Sequence, residues 1–310
     1  MHHEYAVDPK VLISGWENCR YVSEKFGFDR GRVLSLFPKK WLKKAYEALG
    51  SENEIGDVEK KKISLKLNKL ARECAIPSGR DYDSSKDWFH NAVNQQNKKP
   101  FRAIIVKEKS GKNSNILSLN EIDESHELMR AKTNYELSRK TESLLAAFAV
   151  LFKSSSRIAF IDPYFDICNQ GYLNFLERCL TFIDQFNPKE DIDIAIHYDG
   201  EKIHTTPKEV GENFTANFRI IPNRLNIQIF AWEKLINGED FHDRFLLTNK
   251  GGMSIGRGFK PTKAHMTTNV SLMDSKDSLK KLDSFSLDTK DYKLIERPIK
   301  IFSDGRCLHI

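Results

Sequence analysis

The sequence predicts an α/β protein of two domains: a smaller basic α/β domain over residues 1–125, and over 126–310 a domain with a sheet covered by helices. Three observations predict it. A chain of 310 residues is comfortable for two cores and long for one. Short apolar runs rich in Ile, Val and Phe alternate with longer amphipathic stretches, the pattern of strands covered by helices. Charge is unevenly spread, with a net +5 over residues 1–125 and +1 over the rest.

In chain order, 16–26 reads as a helix and 33–37 as an apolar strand. Pro38 suits the first turn of the helix that follows, because its missing N–H would be unpaired there. Residues 50–57 are polar and loop-like, after which Ile63, Leu65, Leu67 and Leu70 fit a helix better than a strand. FRAIIV (101–106) reads as a strand, KEKSGKNSN (107–115) as a loop and 116–119 as a second strand, a pair suited to a hairpin. The strongest helical signal, 127–153, ends in LLAAFAVLF and marks the domain boundary. Beyond it come a strand at 157–161, a helix at 171–183, a strand at 192–196, a helix at 207–217, a strand at 225–230 and the run that begins FHDRF at 241.

Several function classes are excluded or disfavoured. The longest apolar run, 144–152, is far short of the roughly 20 residues of a membrane span. The first residues lack a basic segment followed by an apolar one, so a cytoplasmic protein is expected. Five scattered cysteines without a CxxC spacing read as reduced and structural, and the histidines lack HExxH-type spacing, so neither a metal nor a cofactor is expected. The basic excess concentrates in PKKWLKKAY (38–46) and EKKKISLKLNKLAR (59–72), and it favours a polyanion such as nucleic acid through counterion release. The plainer reading is a solvated helix face, with Trp41 and Tyr46 on its buried side rather than stacked on bases.

The stretch FHDRFLLTNKGGMSIGRGF (241–259) carries the chemistry. If the run is extended from its start, His242 and Arg244 share a face and can act on one ligand. Histidine is a nucleophile or proton carrier near neutral pH, and arginine offers a planar fork matched to phosphate oxygens, so the pair suits a phosphodiester. The plain alternative is a surface ion pair of Asp243 with Arg244 and a capping role for His242. Upstream, RIAFIDPYFD (157–166) supplies core apolar residues, with Tyr164 and Phe165 more readily packing aromatics than ligand contacts.

These residues resemble the phospholipase D superfamily, whose signature is H-x-K-x4-D followed by G-S-x-N. His242 matches the His, Arg244 the Lys, Asn249 the Asp and Gly256 the later Gly; that element's Ser and Asn fall on Arg257 and Phe259, with Ser254 nearby. The form HDR-x4-N-x-G-x3-IGRGF is more similar to a divergent branch, the phospholipase D-like domain at the C-terminus of MIT-domain proteins and its bacterial relatives, over about 130–310. The resemblance implies a phospholipase D-like mixed sheet and a metal-independent phosphodiesterase of nuclease type, compatible with prokaryotic defence. His242 would be the nucleophile, Arg244 and Asn249 its catalytic companions, and Ser254 and Arg257 phosphate-binding residues. Asn249 cannot share negative charge with the imidazole, which leaves Asp243, Asp162 and Asp166 as candidates to orient it. Catalytic members use two motif histidines, whereas this chain has one such element, so a homodimer with a shared cleft is expected. The MIT-linked branch implies a second reading: a non-catalytic module that binds nucleic-acid phosphate, or a phosphoinositide headgroup at a membrane surface.

Overall fold

The computed structural model describes residues 1–109, 113–186, 191–218, 221–236, 240–262 and 265–310. The chain divides into two compact units, Met1–Thr133 and Asn134–Ile310.

The first unit runs β1 (His3–Val7), α1 (Pro9–Leu12), α2 (Trp16–Glu24), β2 (Arg32–Leu36), α3 (Trp41–Gly50), α4 (Asp57–Glu73), β3 (Ala75–Pro77), α5 (Trp88–Lys98), β4 (Ala103–Val106) and β5 (Ile116–Ser118). Its five strands form one parallel sheet in the order β3-β2-β1-β4-β5. Successive side chains of a strand point to opposite faces, and β1 serves two cores in this way. Tyr5 and Val7 pack with Val11, Cys19, Trp41 and Leu67 from the first four helices, while Ala6 packs with Trp88 and Ala92 of α5. Trp41 is fully buried and its indole N–H donates to the Val7 carbonyl at 2.9 Å, so it is a core residue and not a platform for bases.

Two expectations are corrected. β4 and β5 are parallel, with Ile104 opposite Ile116, and therefore not a hairpin. Of the expected loop 107–115, residues 110–112 lie outside the described residues. The long helix expected over 127–153 is a short turn at Glu127–Met129, a strand β6 (Asn134–Ser138) and a helix α6 (Thr141–Ser154). The backbone of β6 is satisfied by pairing with a later strand, Thr267–Leu272, rather than internally.

The second unit continues with β7 (Arg157–Ile161), α7 (Gln170–Phe186), β8 (Ile192–Asp199), α8 (Pro207–Asn217), β9 (Leu225–Lys234), β10 (Phe245–Thr248), β11 (Gly252–Ile255), β12 (Thr267–Leu272), α9 (Ser275–Asp283), β13 (Tyr292–Leu294), β14 (Ile299–Ile301) and β15 (Cys307–His309). The sheet order is β15-β14-β9-β8-β7-β10-β11-β12-β6, with β13 also on β9. β7, β8 and β9 are parallel and the remaining pairs antiparallel, a mixed sheet flanked by helices. α8 starts with a capping box in which Thr206 and Glu209 satisfy each other's backbone N–H groups. Among the described residues no helix is long and apolar enough to cross a membrane.

The register places five strand ends together. β7 ends where β10 begins, β11 ends beside that point, β12 begins there and β6 ends there.

Candidate functional site

Asp162 follows the last residue of β7 and is fully buried. A carboxylate in that position needs partners, and it has several. The backbone N–H of Tyr164 donates to Oδ1 at 3.0 Å, that of Phe259 donates to Oδ2 at 3.2 Å, and the Tyr172 hydroxyl donates to Oδ2 at 3.4 Å. Burial nevertheless pushes the carboxyl pKa above its ordinary value, against the lowering effect of those bonds and of Arg244. Tyr172 is raised as well, by burial and then by the Asp162 charge.

Arg244 lies just before β10 and answers that charge. Its Nε is 3.5 Å from Asp162 Oδ1, its side chain is one-quarter exposed at 25 %, and its guanidinium lies 5.4 Å from the ring centroid of Tyr164. The acid it pairs with is Asp162, not the neighbouring Asp243, which replaces the surface ion pair considered from the sequence. Tyr164 is 47 % exposed and presents its face to Arg244, whereas Phe165 is buried; only the latter is the packing aromatic expected.

The two glycine clusters have distinct causes. Gly251 and Gly252 close the turn from β10 to β11, where a Cβ on Gly252 would come within 2.8 Å of Leu247 and Ser278. Gly258 has φ +73°, and a Cβ there would approach Asp162 Oδ2 to 2.3 Å and Arg244 Cδ to 3.0 Å. Only a glycine lets the backbone close over this ion pair. The next residue, Phe259, anchors the loop in the core, with its ring 5.3 Å from Phe160 and 5.8 Å from Phe175. Arg139, just after β6, holds the same loop: its Nη2 donates to the carbonyls of Arg257 at 3.0 Å and Lys260 at 2.9 Å.

His242 precedes β10 in an irregular segment, so the shared strand face expected for His242 and Arg244 is replaced by proximity in a loop. Its side chain is 74 % exposed. Nδ1 is 2.9 Å from the carbonyl oxygen of Asp240, which can only accept, so Nδ1 carries a proton, and in the neutral ring the electron pair is on Nε2. Asp243 Oδ1 lies 3.5 Å from that Nε2. A backbone carbonyl, rather than Asp243, Asp162 or Asp166, thus sets the tautomer.

A cleft of about 270 Å³ is lined by His242, Arg244, Phe245, Ser254, Gly256, Asn269 and Ser271 among others. It brings together His242, Arg244 and Ser254. Arg257 is exposed on the adjoining loop, and its guanidinium interacts electrostatically with Arg139, as does that of Arg244. Asn249 is elsewhere: at the far end of β10 its Oδ1 accepts from the backbone N–H groups of Ser156 and Arg157, at 3.1 and 3.3 Å. Sequence reasoning missed Arg139, Asn269 and Ser271. Arg139 lies more than a hundred residues from the loop it holds, and Asn269 and Ser271 are ordinary strand polar residues whose alternate positions are their only signal.

The cleft contains one histidine. His197 is no second one, since it is buried against Phe230, accepts from the Trp232 indole at 3.0 Å and is pushed down to about 3 by burial. Among the described residues no group of three or more His, Cys, Asp or Glu side chains is arranged to hold a metal ion. The cleft offers an imidazole, the Arg244 guanidinium paired with the buried Asp162, the exposed Asp243 carboxylate, and neutral hydroxyl and amide groups, with Arg257 on the adjoining loop. No protein-family model matches this chain, and no curated protein is significantly similar to it.

Proposed function

We propose that the second unit is a phospholipase D-like phosphodiesterase of nuclease type. The observation that carries this reading is the conjunction of His242 Nε2, oriented by its Nδ1 bond and open to solvent, with an arginine fixed on a buried carboxylate in one cleft. In this reading Nε2 attacks phosphorus, the leaving oxygen departs with a proton, and water later hydrolyses the phosphohistidine, so one difficult displacement becomes two easier ones. Arg244 stabilises the charge on the equatorial oxygens, and its anchor on Asp162 keeps it from having to reorganise during the step. Nucleic acid is the favoured substrate because the net basic charge over residues 1–125 suits a long polyanion.

Protonation of the leaving group requires an acid, and the cleft's one histidine cannot be nucleophile and acid at once. In this proposal a second copy of the chain supplies the other across a two-fold axis. Labelled single- and double-stranded DNA and RNA incubated with the purified chain test the activity. Cleavage is expected to persist in EDTA, because an imidazole nucleophile and a guanidinium replace the metal's two tasks. Heterodimers of wild-type and His242→Ala chains should lose activity more steeply than in proportion to the wild-type fraction.

The single histidine also favours a second reading, in which the arginines hold a nucleic-acid phosphate or a phosphoinositide headgroup without turnover. Tight binding to an oligonucleotide or to phosphoinositide vesicles with no cleavage under any condition is its signature.

A further inference from the structure

The first unit has a ligand crevice of its own, and the strand order locates it. In the order β3-β2-β1-β4-β5, the chain leaves β1 for β2 through α1 and α2 on one face, and reaches β4 from β3 through α5 on the other. The direction of winding reverses between β1 and β4. In parallel sheets such a reversal opens a crevice at the carboxyl ends of the strands, where the two helical layers part. A cavity of about 500 Å³ lies there, at the end of β1, between α3 and the segment that leads into α5, and its volume is in the range of small-molecule sites of roughly 300–1,000 Å³.

Its walls carry three kinds of group. Tyr82 and Phe89 are partly exposed aromatics. Lys10 and Lys44 are exposed cations with no carboxylate at ion-pair distance among the described residues, unlike Lys86, which pairs with Asp83 at 3.5 Å. Lys44 Nζ instead sits 3.3 Å from the Tyr82 hydroxyl and 4.7 Å from its ring centroid. Asp8 and Asp87 both line the crevice and both cap helices: Asp8 Oδ1 accepts from the Lys10 N–H at 3.0 Å, Asp87 Oδ1 accepts from the His90 N–H at 2.8 Å, and Asp87 Oδ2 lies 2.7 Å from His90 Nδ1. Each carboxylate oxygen has a second lone pair, so both residues can still accept from a ligand's hydroxyl groups.

The turn after β1 reads Asp-Pro-Lys, and proline has no N–H, so the backbone cradle that holds a dinucleotide pyrophosphate is absent from this turn. A phosphate here must be held by lysine side chains. We propose that this crevice binds a nucleoside monophosphate, with the base against Phe89, the ribose hydroxyls on Asp8 and Asp87, and the phosphate at Lys10 and at Lys44, which Tyr82 holds in place. This site is independent of the cleft at His242.

Isothermal titration of the full-length chain with AMP, GMP, CMP and UMP tests it. At least one should bind saturably with one site per chain, inorganic phosphate should compete only weakly, and Arg244→Ala should leave the affinity unchanged. Lys10→Glu combined with Lys44→Glu, both at exposed positions, should weaken binding about tenfold or more, the loss expected when charge-assisted contacts are removed. The proposal is overturned if none of the four nucleotides binds, if inorganic phosphate binds equally well, if the double charge reversal leaves binding intact, or if Arg244→Ala abolishes it.

Discussion

The two ends of β10 carry the two halves of one short motif and differ in almost everything else. At the amino end, Arg244 is held on the buried Asp162, Gly258 closes over the pair, and His242 projects into a cleft. At the carboxyl end, Asn249 is spent on the backbone N–H groups of Ser156 and Arg157 and on the Ser156 hydroxyl, where it fixes the entry into β7. Residues five or seven apart in a motif are thus separated by the length of a strand, and only one end gathers charge, space and a solvent-exposed imidazole. Spacing along a strand says which residues share a face; it does not say which share a site.

Breaking the amino end at its base should have the largest effect on stability. Asp162→Ala removes the ion-pair partner of Arg244 and leaves the N–H groups of Tyr164 and Phe259 without their acceptor, and a loss of about 3 kcal/mol is expected in urea unfolding. Gly258→Ala should follow at about 2 kcal/mol, from its left-handed backbone and its collision with Asp162, whereas Gly256→Ala, with no neighbour nearer than 3.5 Å, should change stability little.

A pH series sharpens the same end. Burial raises the Asp162 pKa from its ordinary 3.8, so the folded state binds that proton more tightly than the unfolded one. The contribution is fully present below 3.8 and lost as pH rises through the raised value. Asp162→Asn does not titrate, so the stability of the wild type relative to that variant should decline across this window. Flat behaviour would mean that Arg244 compensates the buried charge in full.

Much of the frame was legible beforehand. RIAFI, IDIAI and LNIQIF are apolar and β-branched enough to read as buried strands, and they are the three parallel strands at the centre of the mixed sheet. What escaped notice lacked a period. Tyr292–Leu294, Ile299–Ile301 and Cys307–His309 are three residues each, too short to show alternation, and they exist through their partners. β1 was missed because HEYAV carries two charged or polar residues at its start, although it is central in its sheet. At the site, His242 and Arg244 stood out by residue type, but Asp162 gained its meaning only when β7 and β10 were placed side by side. A contact of that kind leaves no mark in either segment alone.

The carboxyl end should show the smallest effect. Asn249→Ala removes hydrogen bonds that other groups and water partly replace, so about 1 kcal/mol of stability is expected to go. The proposed cleavage of a labelled oligonucleotide should stay near the wild-type rate in this variant.

The most direct test sets that variant beside His242→Ala in the same oligonucleotide assay, with unfolding curves recorded for both. His242 is exposed and its ring makes one backbone contact, so its loss should leave the unfolding curve unchanged while abolishing cleavage, and Asn249→Ala should do the reverse. Undiminished cleavage by His242→Ala, or its disappearance in a fully folded Asn249→Ala, would contradict the proposal that a phosphodiesterase site lies at the amino end of β10.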